Sequence, residues 1–146
     1  MSFTLDLDID AAPADVFRFI SDFRTTPRWY SAVKRVEAVA GGGGIGTRYL
    51  VYRDLPGGEA RNEVEVSSHE PNREVSFTSV SGPTPFVYRY VIESAGTGTR
   101  LVLNGSISGA VLSGPAALLA PLAEGLFKRG MRDNLGQLKR LLEASR

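Results

Sequence analysis

The chain has no cysteine and a single histidine, His69. Without thiols there is no disulfide framework, no cysteine-based zinc or iron–sulfur site and no cysteine nucleophile. One imidazole also excludes sites built on several histidines, so no metal or cofactor is expected. An excess of one charge is missing as well: 17 Lys and Arg stand against 16 Asp and Glu, for a net +1. That balance sets up no overall field favouring nucleic acid or an anionic membrane. A long hydrophobic run is also lacking. Residues 101–123 carry no charge, yet Asn104, Ser106, Ser108 and Ser113 dilute them, and Gly105, Gly109, Gly114, Pro115 and Pro121 cut them. They read as a strand, a turn and the apolar start of a helix, not as a membrane span. In the opening MSFTLDLDID, Asp6, Asp8 and Asp10 interrupt the apolar residues, so no secretory signal is read there and a cytoplasmic protein is expected.

What is present suits one ordinary domain over residues 1–146, with 42% hydrophobic and 23% charged residues. A chain of this length buries about 68–70% of its unfolded surface. Phe3, Leu5, Leu7 and Ile9 alternate with Thr4, Asp6 and Asp8, which predicts a strand with one apolar face. Pro13 and Asp15 then open a short helix over residues 13–20, burying Val16, Phe17 and Ile20. Thr26-Pro27 repeats the device, predicting a second short helix over 27–31 that carries Trp29.

From Val33 to Ser108 the pattern is strands and tight turns, with six strands expected at 33–39, 47–54, 60–70, 73–81, 86–94 and 99–108. Connections this short make the strands antiparallel. The period then changes. Phe127, Met131, Leu135, Leu138 and Leu142 recur at helical spacing, with Lys128, Arg129, Arg132, Lys139 and Arg140 around the other face. This helix starts either after Pro115 or at Pro121.

The expected architecture is therefore α+β: a seven-stranded antiparallel sheet covered by one long C-terminal helix, with two short helices after the first strand. Alternation turns Val64 and Val66 inward, with Asn62 and Ser68 beside them. Val75, Phe77 and Ser79 form a second inward row, and Phe86, Tyr88, Tyr90 and Ile92 a third. Leu101, Leu103 and Ile107 form a fourth, with Gly105 between them. The third strand is ambiguous, since Tyr49 and Tyr52 fall on opposite faces. Large aromatics mixed with hydroxyls, an amide and a glycine fit a binding cavity. They also fit a core whose polar groups are satisfied.

Several segments together resemble a known family: "IDAAPADVFRFISDF", "TPRWYSAVKRVE", "GIGTRY", "EPNREVSF", "GTGTRLVL" and "LKRLLE". In this order and spacing, over essentially the whole chain, they resemble the START-like, Bet v 1-like superfamily. Within it they resemble specifically the SRPBCC polyketide cyclase/dehydrase and lipid-transport group. The resemblance implies a helix-grip fold around a deep hydrophobic cavity. The cavity would be lined by Trp29, Asn62, Val64, Val66, Phe77, Ser79, Phe86, Tyr88, Tyr90, Leu101, Leu103, Leu119, Leu122 and Phe127. It implies a small hydrophobic or amphipathic ligand: a lipid, a polyketide or an isoprenoid-like compound.

Motifs for specific chemistry are sparse. Gly41-x-Gly43-x-x-Gly46 fits the dinucleotide pattern, but a strand follows it where that motif needs a helix. His69 falls on the face opposite Val64 and Val66 and is expected in solvent, as are Asp6, Asp8, Glu63 and Glu65. The only proton-transfer candidates inside are the phenols of Tyr88 and Tyr90, which are weak bases at neutral pH. Trp29 fits either a lid over the cavity or a buried cap. The expected function is ligand binding or transport. The alternatives are a polyketide cyclase/dehydratase-like enzyme and a co-chaperone-like protein-interaction module.

Overall fold

The structure, a computed structural model, describes residues 1–55, 57–108 and 120–145. Seven strands follow one another as β1 (Ser2–Ile9), β2 (Val33–Ala40), β3 (Arg48–Leu55), β4 (Gly58–Glu70), β5 (Glu74–Ser81), β6 (Phe86–Ala95) and β7 (Gly98–Ile107). Helix α1 (Pro13–Ser21) and a 3-10 helix (Phe23–Arg28) follow β1, and helix α2 (Ala120–Ala144) ends the chain. The strands form one antiparallel sheet in the order β1-β7-β6-β5-β4-β3-β2. Only β1 leaves the sequential meander. It pairs with β7, so the chain's first and last strands lie side by side. This is the curved antiparallel sheet with a long C-terminal helix of the helix-grip fold.

Local signals account for the two short helices, with one correction. Pro13 and Asp15 occupy the first turn of α1, which buries Val16, Phe17 and Ile20. The second short helix starts earlier than residues 27–31. Asp22, not Thr26, caps it: its Oδ1 accepts from the Arg24 backbone N–H at 3.1 Å. A carboxylate is a strong N-cap acceptor, and Pro27 closes this 3-10 turn instead of opening it. Thr26 is buried, and Trp29 follows directly as the C-cap residue.

The long helix buries Met131, Leu135, Leu138 and Leu142 along one stripe. Burying a leucine fully stabilises the fold by about 1.5–3 kcal/mol, so this stripe anchors the helix. Polar contacts fix its direction. Lys139 Nζ donates to the Asp8 carbonyl at 2.7 Å, and the Asp10 N–H donates to Glu143 Oε2 at 2.8 Å. Phe127, near the other end of α2, meets Phe3 at 5.3 Å between ring centroids. The helix therefore runs in the same direction as β1. Its C-terminal half covers the Ile9 end of the sheet, and its N-terminal half lies towards the Phe3 end. The described helix starts at Ala120, one residue before Pro121; residues 109–119 lie outside the described residues. Among the described residues, no helix is long and apolar enough to cross a membrane.

A bulge in β4 overturns part of the expected facing. Val66 pairs with Phe77, but Ser68 pairs with Ser76, so Ser67 is an extra residue. One inserted residue reverses the alternation beyond it. Ser68 therefore turns outward, its hydroxyl donating to Ser76 Oγ at 2.7 Å. His69 turns inward, opposite the buried Val75, with its ring 5.1 Å from that of Phe17. The imidazole is half-buried under α1, not in open solvent. The third strand also resolves. Tyr49 and Val51 are buried, while Tyr52 faces outward beneath the Arg35 guanidinium.

Candidate ligand site

The inner face of the sheet, His69 apart, is hydrocarbon at one end and aromatic and polar at the other. The second end is built around Gly105. This glycine lies between Phe3 of β1 and Tyr88 of β6 in the sheet register. A Cβ placed on it would lie 2.2 Å from Phe3 Cζ. The missing side chain thus lets the Phe3 ring lie over β7. The ring packs edge-on to Tyr88 at 6.2 Å and to Phe127 at 5.3 Å. Tyr88 stacks on Phe86 at 4.7 Å. Aromatic pairs at such spacings contribute about 0.5–1.5 kcal/mol each beyond their burial.

Tyr30 reaches this cluster from the segment after the 3-10 helix. Its hydroxyl lies 3.2 Å from that of Tyr88, and the rings are stacked at 6.5 Å. The segment is held to α2, since the Ser31 N–H donates to Asn134 Oδ1 at 3.2 Å. Two phenols sharing one hydrogen bond spend one of their two protons on it. Whichever hydroxyl donates, the other keeps a proton to offer. Burial, and next the neighbouring Tyr30 phenol, push Tyr88 well above the usual phenol range. Burial likewise raises Tyr30, and the charge of Arg53 opposes the rise at both. These hydroxyls are hydrogen-bond donors, not bases.

Arg53 is the residue that sequence reasoning missed. Tyr49, Val51 and Arg53 share the inward face of β3, and Arg53 pairs with Val33 and Ala60. Its Nε and Nη2 donate to Asn62 Oδ1 at 3.1 and 2.7 Å. Nη2 also donates to the Pro83 carbonyl at 3.0 Å and Thr84 Oγ1 at 2.6 Å. Its guanidinium carbon lies 6.0 Å from the Phe86 ring centroid. The 49-51-53 alternation is present in the sequence, but Tyr52 competes with it for the inward face. Nothing in the sequence marks Tyr30, which owes its place to the path of a loop.

Asn62 takes a different part from the one expected of a lining residue. It is 0% exposed, and its amide group is fully engaged. Nδ2 donates to Ser79 Oγ at 3.2 Å, the Ser81 carbonyl at 3.3 Å and the Pro83 carbonyl at 2.8 Å. It draws the β5–β6 loop down onto the sheet. Gly82 permits this approach: its φ is +104°, and a Cβ there would meet the Arg61 carbonyl at 2.5 Å. Asn62 and Ser79 are therefore scaffolding for this end, with Arg53 facing inward above them.

The other expected residues separate into three groups. Val64, Val66, Phe77, Leu101 and Leu103 are fully buried inner-face residues, and Phe86 and Tyr88 form the aromatic floor. Phe127 is half-buried against Phe3. Tyr90 and Trp29 lie deeper. Tyr90 packs on Phe77 at 6.2 Å and on Trp29 at 6.5 Å, and burial drives its pKa far above the usual phenol value. Trp29 is 4% exposed, a buried cap and not an open lid, and its Nε1–H has no acceptor. Leu122 departs from expectation. It is 62% exposed, because it falls on the side of α2 opposite the Met131–Leu138 stripe. Leu119 lies outside the described residues.

Two crevices are defined by described residues. One of about 320 Å³ lies between α1, the 3-10 helix and the end of α2, beside Arg18, Arg28 and Ser145. The other, of about 590 Å³ and largely open, lies at the β1–β7–β6 edge by Thr4, Asn104 and Lys128 and borders Phe3 and Gly105. Neither is the deep chamber expected beneath the helix. The Gly41–Gly46 stretch joins β2 to β3 as a hairpin connection, with no helix behind it to hold a pyrophosphate. No three Asp, Glu or His side chains gather as a metal site among the described residues.

The sequence profile of the family described as "Polyketide cyclase / dehydrase and lipid transport" matches residues 1–143. No curated protein sequence matches the chain. Solved structures share the fold. TTHA0849 from Thermus thermophilus superposes with a TM-score of 0.81 at 23% identity, over 99% of each chain. A START superfamily protein from Mycobacterium smegmatis gives 0.81 at 15% identity, over 99% of each chain. The Zhui aromatase/cyclase from Streptomyces gives 0.79 at 13% identity, over 98% of this chain and 93% of that one. At these identities the likeness concerns architecture, and the chemistry must be argued from side chains.

Proposed function

The chain belongs to the polyketide cyclase/dehydrase and lipid-transport family, and from that premise we propose that it acts as one domain binding a small hydrophobic or amphipathic molecule. The ligand lies against the aromatic end of the inner face. One observation carries this reading: a floor of Phe3, Phe86 and Tyr88 beside Gly105, edged by the Tyr30 and Tyr88 hydroxyls. A mostly apolar surface with a few oriented polar groups is how small-molecule sites are built. The expected ligands are lipids, polyketides or related ring compounds.

Binding or transport is favoured over catalysis because the proton-transfer groups at this end are phenols held protonated by burial. His69 sits at the opposite end, against Phe17. Cyclase-like catalysis is the second reading, supported by the same hydroxyl pair, which can polarise a carbonyl oxygen. Native mass spectrometry of freshly purified protein tests the first reading. We expect a co-purified small molecule, or saturable binding from a lipid and aromatic panel with a change in Trp29 emission. No binding across the panel would overturn it. Turnover of a polyketide chain, lost in Tyr88→Phe with binding intact, would replace it with the second reading.

A further inference from the structure

Six arginines lie on the strands: Arg35, Arg48, Arg53, Arg61, Arg89 and Arg100. Arg35, Arg48, Arg89 and Arg100 face outward, and each pairs with a carboxylate. Arg61, paired across the sheet with the outward Tyr52, is exposed to water. Arg53 alone among them points inward. It is half-buried, and among the described residues it forms no ion pair. The acceptors it does reach, Asn62 Oδ1, the Pro83 carbonyl and Thr84 Oγ1, are all neutral. Those bonds engage Nε and Nη2 and leave Nη1 out.

Removing a charge from water is costly unless an opposite charge or several good acceptors compensate it. A clamp on a loop carbonyl needs only a neutral donor. A guanidinium in that place adds a positive charge that no group on the sheet neutralises. The same charge reaches the Tyr30 and Tyr88 phenols, where it opposes the effect of burial. Two donor groups thus lie at the edge of the aromatic floor: Arg53 Nη1, and one phenolic proton left over by the Tyr30–Tyr88 bond. The Phe86 ring beside the guanidinium closes the arrangement on its apolar side.

We propose that Arg53, Tyr30 and Tyr88 form a subsite for an anionic oxygen, carried at one end of an otherwise apolar, aromatic ligand. This rests on the reading that the aromatic end of the inner face is the ligand site. It narrows the ligand class from hydrophobic molecules in general to amphiphilic anions, such as carboxylates and enolates. Arg53 selects the charged end, and the Phe3–Phe86–Tyr88 floor accepts the body.

A matched pair of fluorescent probes tests it. Anilinonaphthalene sulfonate and N-phenylnaphthylamine share one aromatic body, and only the first carries an anion. In the wild-type protein each should bind saturably, and each should displace the other. The anionic probe should weaken with rising salt, and the neutral one should not. Arg53→Gln should weaken the anionic probe about tenfold or more, the range of a charge-assisted hydrogen bond. The neutral probe should change less than about twofold on the same scale. Arg53→Lys keeps the charge and should retain part of the preference for the anion. Parallel weakening of both probes in Arg53→Gln would show that Arg53 only holds the wall, and would overturn the proposal. Unchanged binding of both would do the same. If neither probe binds the wild-type protein, the ligand-site reading itself fails. The wild-type salt dependence stands without any variant: an anionic probe indifferent to salt contradicts the subsite.

Discussion

One sheet builds two unlike ends. Beneath α1 and the C-terminal half of α2, the inner face presents Ile9, Val75, Ile92 and Leu101, buried in one core with Leu138 and Leu142. These are hydrocarbon side chains with no hydrogen bonds to satisfy. Towards the N-terminal half of α2, the sheet presents Phe3, Gly105, Tyr88 and Phe86, with Arg53 of β3 beside Phe86. There α2 itself is less engaged: Leu122 and Leu126 are 62% and 60% exposed, and Phe127 is half-buried. The contrast separates two tasks. The hydrocarbon end holds the fold by burial. The aromatic end holds polar groups in fixed directions and therefore has something to offer a ligand.

The largest effect should come from cutting into the hydrocarbon end. Leu101→Ala or Leu138→Ala removes a 0%-exposed side chain and should cost about 2–5 kcal/mol. Urea unfolding would show it as a lower midpoint at unchanged slope. A loss below about 1 kcal/mol would mean that this end is not the anchor. Gly105→Val is the matching cut at the aromatic end. Its Cβ would fall 2.2 Å from the Phe3 ring, so the ring must leave its place above β7. The expected cost is about 1–3 kcal/mol, with binding of the aromatic probes lost more completely than stability.

Alkaline pH should stress the aromatic side selectively. Burial gives Tyr30, Tyr88 and Tyr90 higher pKa values in the fold than in the unfolded chain. Their contribution is whole below the unfolded value of about 10 and is lost as pH rises towards the folded values. Stability should fall by up to about 1.4 kcal/mol per pH unit for each such phenol. Phenolate absorbance from these residues should appear together with unfolding. Tyr88→Phe should make the slope shallower by one phenol's share. An unchanged slope would contradict the burial of Tyr88. At neutral pH the same variant loses only its bond to Tyr30, about 0.5–1.5 kcal/mol. The smallest effect belongs to the outer face. Arg100→Ala breaks an exposed pair with Asp6 and should shift thermal stability by less than about 1 kcal/mol.

Much of the architecture was legible in the sequence, because alternation and helical spacing are local patterns. The Phe3–Ile9 strand and the Met131–Leu142 stripe show it directly. The errors arise where one residue changes the phase or a cap competes. The Ser67 bulge inverted Ser68 and His69, and Asp22 displaced Thr26 as the cap of the 3-10 helix. The candidate site was half legible. Phe86 and Tyr88 follow from alternation along β6. Arg53 was hidden by the competing pair Tyr49 and Tyr52, and Tyr30 by the path of a loop that no periodicity describes. Asn62 was found for its place on the inner face, but its work is to hold the β5–β6 loop.

The aromatic end, not the hydrocarbon end, is the proposed seat of the ligand. Amide chemical-shift mapping of isotope-labelled protein titrated with N-phenylnaphthylamine tests it most directly. The predicted shifts cluster on Phe3, Arg53, Phe86, Tyr88 and Gly105, with Val75, Ile92 and Leu101 nearly still. Shifts centred on the hydrocarbon end, or on the crevice beside Arg18 and Arg28, would contradict it.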